Sequence, residues 1–264
     1  MSSLRSETHL HSKSDTGSAL TIGAIGDLHI GKENLPRNFH SIVNQECDLL
    51  LIAGDLTDYG KVDEIHKLDQ ILNRISVPTV AVLGNRDSYS GNEDLLKEVL
   101  EKHSHVYLLD GDYQSFSFED MKVGIVGTRG CGGGLDKDTA DVYEDTFSEP
   151  LRREVASINY ASGLMDEDTP DVRIALLHYL PYHDNLGETF EGMDVLQGNV
   201  YLGGELDKHN FALTLHGHAH RGVGGLLSLS HRKQLSNVAQ QANDHRISCF
   251  RISSGGEDLR HELL

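Results

Sequence analysis

The 264-residue sequence contains no tryptophan and only three cysteines, Cys47, Cys131 and Cys249. An odd number, wide spacing and the lack of any Cys-x-x-Cys pair argue against a disulfide framework or a zinc-thiolate site. Reduced thiols in a cytoplasm fit better. Long apolar runs are missing as well, and none approaches the ~18 residues of a membrane span. The opening MSSLRSETHLHSKSDTGS lacks the apolar stretch of a signal peptide, so residues 1–19 read as a flexible polar tail and the chain as cytoplasmic with no membrane partner. Positive charge is scarce: 23 Lys and Arg against 41 Asp and Glu leave a formal net charge of −18. A field of that sign repels phosphodiester polymers and anionic bilayers, which counts against long nucleic acid as a partner.

What the chain does have is a globular balance, 24% charged and 38% hydrophobic residues with 27 glycines. Chains of this length in α/β architectures are routinely one domain, here residues 20–264. The sequence is strongly acidic yet carries 16 histidines. That combination points to divalent cations, which locally invert the electrostatics.

From Leu20 the chain alternates apolar runs with amphipathic segments. LTIGAIGD is followed by a helical stretch near Asn34 to Glu46, CDLLLIAGD by VDEIHKLDQILNRI, and PTVAVLGN by NEDLLKEVLEKH. In the second helix Val62, Ile65, Leu68, Ile71, Leu72 and Ile75 recur at steps of three and four, one apolar stripe for a sheet. Strands that are apolar at successive positions, alternating with helices, predict a largely parallel sheet covered on both faces. Further along, YQSFSF and MKVGIVG read as paired strands around Glu119-Asp120. A glycine-rich loop, GTRGCGGG, follows, and a helix is predicted from Tyr143 to Ser162. DVRIALLH and NFALTLHGH are two more strands, with Gln234 to Ala239 and Arg246 to Ile252 closing the series.

In open α/β sheets ligands sit at the carboxyl ends of the strands. Those ends carry Asp27 with His29 in GDLH, Asp55 in GDLTD, Asn85 in GNRD, His178 in LLHYLP, and His218 with His220 in GHAH. Taken singly, an Asp after a strand is a turn or cap residue and a lone His a structural one. Seven such side chains, each directly after an apolar run, converge on one edge. Without cations they would leave two aspartates repelling each other in a partly dry cleft. Mixed carboxylate and imidazole donors suit Mn, Fe, Zn, Co or Ni better than Mg or Ca.

The ordered blocks D-x-H, G-D-x-x-D, G-N, a lone His and G-H-x-H, from Gly26 to His220, resemble the calcineurin-like metallophosphoesterases. The resemblance runs from Leu20 to Ile252. It implies an αββα sandwich, two mixed sheets flanked by helices in a single α/β domain. It also implies two divalent metal ions, Mn foremost. Asp27, His29 and His220 would hold one, and Asn85, His178 and His218 the other, with Asp55 bridging. A metal-bridging hydroxide would be the nucleophile on phosphorus. Asp58, the second acid of GDLTD, would orient a ligand such as His29.

One residue departs from the family pattern. Where a histidine usually follows the metal-binding Asn, this chain has Arg86. A guanidinium does not release its proton at ordinary pH, so it cannot act as a general acid, but it can clamp a phosphate oxygen, with Asp87 holding it through a charge-assisted pair. Relatives that replace this histidine lean towards phosphodiesters, so a phosphodiesterase on a small phosphoester substrate is the expectation. His183 is a candidate replacement proton donor, and Arg129 with the glycine-rich loop a candidate anion contact. His216, outside the Gly-His-x-His frame, is taken as structural. The other readings are a phosphomonoesterase for nucleotides or proteins, a nuclease on short nucleic acid, and a non-catalytic scaffold, which would be expected to have lost ligands.

Overall fold

Leu49–Ala53 is apolar at every position because neither face of that strand meets water. Leu49, Leu51 and Ala53 point into a core between two sheets, while Leu50 and Ile52 point into a second core beneath helices. The computed structural model describes residues 8–10, 19–119, 121–187, 194–229, 233–253 and 259–264. Its strands are β1 (Thr8–Leu10), β2 (Ala19–Ile25), β3 (Leu49–Ala53), β4 (Thr79–Val82), β5 (Val106–Leu108), β6 (Asp112–Phe118) and β7 (Met121–Thr128). They continue with β8 (Val172–Leu177), β9 (Leu213–His216), β10 (Gly225–Ser228), β11 (Gln234–Asn237), β12 (Ser248–Ser253) and β13 (Leu259–Leu263). Its helices are α1 (Phe39–Glu46), α2 (Val62–Leu72), α3 (Glu93–Lys102), α4 (Lys137–Val142), α5 (Glu144–Asp168) and α6 (Val200–Leu206).

One sheet runs β13-β12-β2-β3-β4-β5 and the other β1-β6-β7-β8-β9-β11-β10. The expected parallel character holds at the centre of each, β2 to β5 and β7 to β11. The flanks make both sheets mixed: β12 runs antiparallel to β2, β6 to β7 and β10 to β11. Ile22, Leu51, Val80 and Phe250 meet Phe116, Ile125, Ile174 and Leu215 between the sheets. The outer faces are covered by α1, α2 and α3 on one side and α5 and α6 on the other. The result is a single α/β domain, two mixed sheets flanked by helices.

Several local expectations change. The first helix begins at Phe39 rather than near Asn34, because Pro36 and the left-handed Asn38 (φ 58°) hold the preceding segment in turns. The helix expected over Tyr143 to Ser162 runs on to Asp168, through Pro150, and stops at Thr169 (φ 49°) ahead of Pro170. In α2 the stripe buries Ile65, Leu68 and Leu72 but leaves Val62 exposed. Three residues of the polar tail form β1, parallel to β6 with Thr8 opposite Phe116. The rest of residues 1–18, and Asp120 of the expected turn, lie outside the described residues. The charged LRHEL segment, which shows no strand pattern, becomes β13 because β12 leaves an edge to pair and Glu262 meets Arg251 at 2.8 Å. Among the described residues no helix is long and apolar enough to cross a membrane.

This arrangement places the carboxyl ends of β2, β3, β4, β8 and β9 along one edge, where the last strands of the two sheets are stitched together. Gly26 donates to the Val238 carbonyl at 2.7 Å, and Gln240 N–H donates to the Gly26 carbonyl at 3.1 Å. Leu51, fully buried between the sheets, tests the layered core: Leu51→Ala is expected to cost about 2–5 kcal/mol in urea unfolding. Val142→Ala, at a position 77% exposed, should stay within about 0.5 kcal/mol of wild type.

Candidate metal centre

Each proposed ligand follows a strand through a tight turn, and four of them adopt left-handed backbone: Asp27 (φ 56°), His29 (φ 43°), Asp55 (φ 48°) and His218 (φ 66°). Each such conformation costs on the order of 1–3 kcal/mol in a residue bearing a Cβ. Neighbouring groups hold them there. The Gln240 side-chain amide donates to the Asp27 and Leu28 carbonyls at 3.0 and 3.2 Å, and Gln241 donates to Asp27 at 3.1 Å. His218 N–H donates to Asp27 Oδ2 at 2.7 Å. The glycine before each motif is demanded by crowding, since a Cβ on Gly84 would sit 2.1 Å from Asp55 Oδ1 and one on Gly217 2.5 Å from Asp27 Oδ2.

Two clusters result, sharing Asp55: Asp27, His29, Asp55 and His220, and Asp55, His178 and His218, with the donor atoms of each within 4.8 Å of one another. In the first, His220 Nε2 lies 2.9 Å from Asp27 Oδ1 and 3.0 Å from His29 Nε2, and His29 Nε2 lies 3.7 Å from Asp55 Oδ2. In the second, His178 Nε2 lies 3.1 Å from His218 Nδ1, 3.0 Å from Asn85 Oδ1 and 3.4 Å from Asp55 Oδ1.

The tautomers of the second cluster follow from the opposite ring nitrogens. His178 Nδ1 donates to the Ala53 carbonyl at 3.0 Å and His218 Nε2 to the Leu196 carbonyl at 3.1 Å. In the neutral rings, the two nitrogens that face each other therefore both carry lone pairs. Asn85 Nδ2 donates to the Tyr89 hydroxyl at 2.8 Å, which turns Oδ1 inward. Asn85 Oδ1, His178 Nε2 and His218 Nδ1 thus converge beside Asp55 Oδ1 as acceptors with no proton among the three. A divalent cation is the partner that such a set fits.

The charges agree. Burial drives His218 down to about 3 and His29 down to about 4, and it lowers His178 as well, so these rings are neutral and ligand-competent near pH 7. Burial, with the charges of Asp27 and Asp87, pushes Asp55 up to about 9. For Asp27 burial favours the neutral acid, but the hydrogen bond from His220 and the nearby imidazoles overcome it and hold the carboxyl low. A carboxylate as unwelcome as Asp55 in a dry pocket is stabilised by a cation at its oxygens.

Asp58 stands where the sequence suggests. Its Oδ1 is 3.3 Å from His29 Nδ1, although the pair is misaligned for a hydrogen bond. Asp87 does not hold Arg86. Its fully buried carboxylate turns inward and accepts from the backbone N–H groups of Leu56, Thr57 and Gly84 at 3.2, 2.8 and 2.9 Å, fixing the turns that carry Asp55 and Asn85. Arg86 has other partners: its guanidinium sits 5.7 and 5.5 Å from the ring centres of Tyr59 and Tyr89 and 3.9 Å from Asp58 Oδ1, and its backbone N–H donates to Asp55 Oδ1 at 2.8 Å.

His183 does not reach the site. It lies exposed on the short 3₁₀ turn His183–Asn185, and Leu186 lines the cleft instead. Nor is Arg129 offered to an anion, because it pairs with Glu93 at 3.0 Å and donates to Ser88 Oγ at 3.4 Å. Its loop is pinned rather than loose, with Gly130 N–H on Glu154 at 3.1 Å and the Arg129 carbonyl accepting from His178 N–H at 3.1 Å. His216 is fully buried and lies outside both clusters.

Above the clusters opens a cleft of about 430 Å³, with Asp55, Asn85, His218 and His220 on its floor and Arg86, Arg221, Tyr89, Tyr179, Phe147, Leu186 and Leu196 on its walls. Tyr89, Tyr179 and Gln240 also serve this site, and none of them belongs to the motif blocks. Tyr89 had one legible signal, its position in the same turn as Asn85.

The model of the calcineurin-like phosphoesterase family matches residues 20–222. A protein of Fibrobacter succinogenes named Probable cyclic nucleotide phosphodiesterase is 29% identical over 136 residues, 47% of this chain and 53% of that protein. The chain thus spans about half the length of that relative. TT1561 of Thermus thermophilus superposes with a TM-score of 0.60 at 15% identity, covering 93% of this chain and 99% of the other. The calcineurin-like phosphoesterase YfkN of Bacillus subtilis gives 0.53 at 15%, covering 93% and 90%. With the match extending over the segment that supplies every residue of the two clusters, the chain belongs to the calcineurin-like phosphoesterase family.

Proposed function

We propose that this protein is a cytoplasmic phosphodiesterase acting on a small phosphodiester or nucleotide, with two divalent cations, Mn foremost, in its paired clusters. The observation that carries the reading is the shared Asp55, one carboxylate facing both groups of acceptors. Asp27, His29 and His220 would hold one cation, Asn85, His178 and His218 the other, and Asp55 both. Cations bound there supply charge for the phosphoryl oxygens and lower the pKa of water at the site.

The remaining steps belong to the chain. Arg86, with its side chain 30% exposed at the cleft, presents a fixed positive charge to a phosphate oxygen and gives up no proton. A diester bears one negative charge, which a single guanidinium and the cations can balance. A monoester bears up to two and depends more on proton donation to its leaving oxygen. The residue that follows Asn85 gives no acid, and His183 is exposed and not among the residues that line the cleft. Asp58 and the Leu196, Ala53 and Tyr89 contacts hold the ligands in orientation. Tyr179, Phe147 and Leu186 line a largely apolar wall for the organic group. The name of the Fibrobacter relative supports diester chemistry, and the three free, buried cysteines suit a reducing compartment.

With Mn present, hydrolysis of bis-p-nitrophenyl phosphate is expected to exceed that of p-nitrophenyl phosphate. A reversed ratio across a panel of metals overturns the diester reading. Arg86→His should raise the monoester rate, and an unchanged rate makes the arginine a bystander.

Stripping cations with a chelator leaves Asp55 beside Asp27 and Asp87 in a dry pocket, so the melting temperature should fall and recover on adding Mn. Free Mn at 100 times its Kd is worth about 2.7 kcal/mol, roughly 5–10 °C for a chain of this size. Calorimetric scans that do not respond to Mn count against the metal centre.

A further inference from the structure

Among the described residues, Tyr89 is the one group in hydrogen-bond contact with the Asn85 side-chain nitrogen, with Nδ2 to hydroxyl at 2.8 Å. Its ring is also one of the two that flank the Arg86 guanidinium, at 5.5 Å. The other ring is Tyr59, 6.1 Å from Tyr89. We infer that Tyr89 is a positioning residue with two separable duties, the hydroxyl setting which end of the Asn85 amide faces the second cluster and the ring holding Arg86 over the cleft.

The first duty follows from amide chemistry. Asn85 can ligate only through oxygen, because the nitrogen lone pair is delocalised into the carbonyl. Both ends are similar in size, so shape alone does not select between them. Inside the cluster the neighbours are His178 Nε2 at 3.0 Å, a lone pair by the tautomer argument, and the Asp55 carboxylate. Without a cation, both of those acceptors would draw the Asn85 NH₂ inward, the wrong way round for ligation. The Tyr89 hydroxyl opposes this flip by accepting from Nδ2 on the outer side. Ser88 fixes the same turn independently, donating from Oγ to the Asn85 carbonyl at 3.1 Å, so the backbone does not depend on Tyr89.

The second duty follows from the position of Arg86. Its nearest carboxylate is Asp58, at 3.9 Å, already shared with His29. A guanidinium free to settle on Asp58 would neutralise the acid that faces His29 and leave Arg221 as the cleft's remaining guanidinium. Two ring faces hold it at the rim, a contact worth a few-fold in binding at an exposed site.

This inference rests on the metal-centre reading, and the test separates the two. Metal-stripped wild type, Tyr89→Phe and Tyr89→Ala are titrated with Mn in a calorimeter, and KM for bis-p-nitrophenyl phosphate is then measured at saturating Mn. Tyr89 is 56% exposed, so both variants should fold, which unchanged far-UV circular dichroism verifies. Expected for Tyr89→Phe is one Mn site weakened by roughly 10–100-fold, the other unchanged, and a wild-type KM. Tyr89→Ala should show the same Mn loss with KM raised about two- to fivefold. If Tyr89→Phe binds both cations as wild type does, the amide-orienting duty is wrong. Equal KM values for Phe and Ala overturn the arginine-holding duty. Wild type that binds no Mn removes the metal centre itself, and the first duty with it.

Discussion

The structure turns on three acceptors that meet with no proton between them, Asn85 Oδ1, His178 Nε2 and His218 Nδ1, beside Asp55 Oδ1, which accepts from the Arg86 backbone N–H. Each proton that could have relieved the conflict is engaged elsewhere, on the carbonyls of Ala53 and Leu196 and on the Tyr89 hydroxyl. Leaving buried acceptors unsatisfied costs about 1–3 kcal/mol each. The fold tolerates this only because both sheets lock the groups in place. β8 and β9 bring the imidazoles, β3 and β4 the oxygens, and neither sheet alone holds a complete set. The double-layered core is therefore what makes the cluster possible.

The backbone tells the same story. Asp27, His29, Asp55 and His218 all occupy left-handed backbone, a costly choice for residues with a Cβ, and buried polar side chains hold the turns that carry them. Gln240 and Gln241 reach from the turn after β11 to the Asp27 and Leu28 carbonyls. Asp87 collects three backbone N–H groups from two separate turns. A buried carboxylate spent on backbone donors is stabilising in a way that an exposed partner for Arg86 would not be, which is why the acid of GNRD turns inward.

Much of this was legible in the sequence because the signal was repeated. β2, β3 and β4 are apolar on both faces and end in Gly-Asp or Gly-Asn, so order and position pointed to a parallel α/β sheet and the seven convergent side chains without any distance, while the second sheet came from the family resemblance. What stayed hidden has physical reasons. LRHEL has no apolar alternation, and it is a strand only because β12 offers an edge. Asn34 to Asn38 leads directly into the helical stretch but contains Pro36 and a left-handed Asn38. His183 is five residues from His178 in the chain, yet the backbone turns at Pro181 and leaves it exposed. Adjacency misled most at Asp87. Neighbouring residues on a 3₁₀ turn point in different directions, so Arg86 went to the cleft and Asp87 to the interior.

Arg86 is where the field of the whole molecule and the chemistry of the site part company. A net charge of −18 disfavours approach by any phosphoester, and the more so the more charge it bears. The penalty therefore rises from diester to monoester to polymer, the same order in which a single guanidinium becomes insufficient. Arg86 and Arg221 place positive charge only at the mouth of the cleft, within a Debye length of the floor, so attraction acts at short range on a small substrate and fades for an extended one. Set against the Tyr59 and Tyr89 rings, with Asp58 rather than Asp87 as its carboxylate neighbour at 3.9 Å, the guanidinium still lines the cleft. A histidine in its place would be neutral for much of the physiological range and would trade that fixed charge for a transferable proton. On the proposed reading, Arg86 exchanges acid catalysis for electrostatic capture, and the diester is the substrate that would lose least by the exchange.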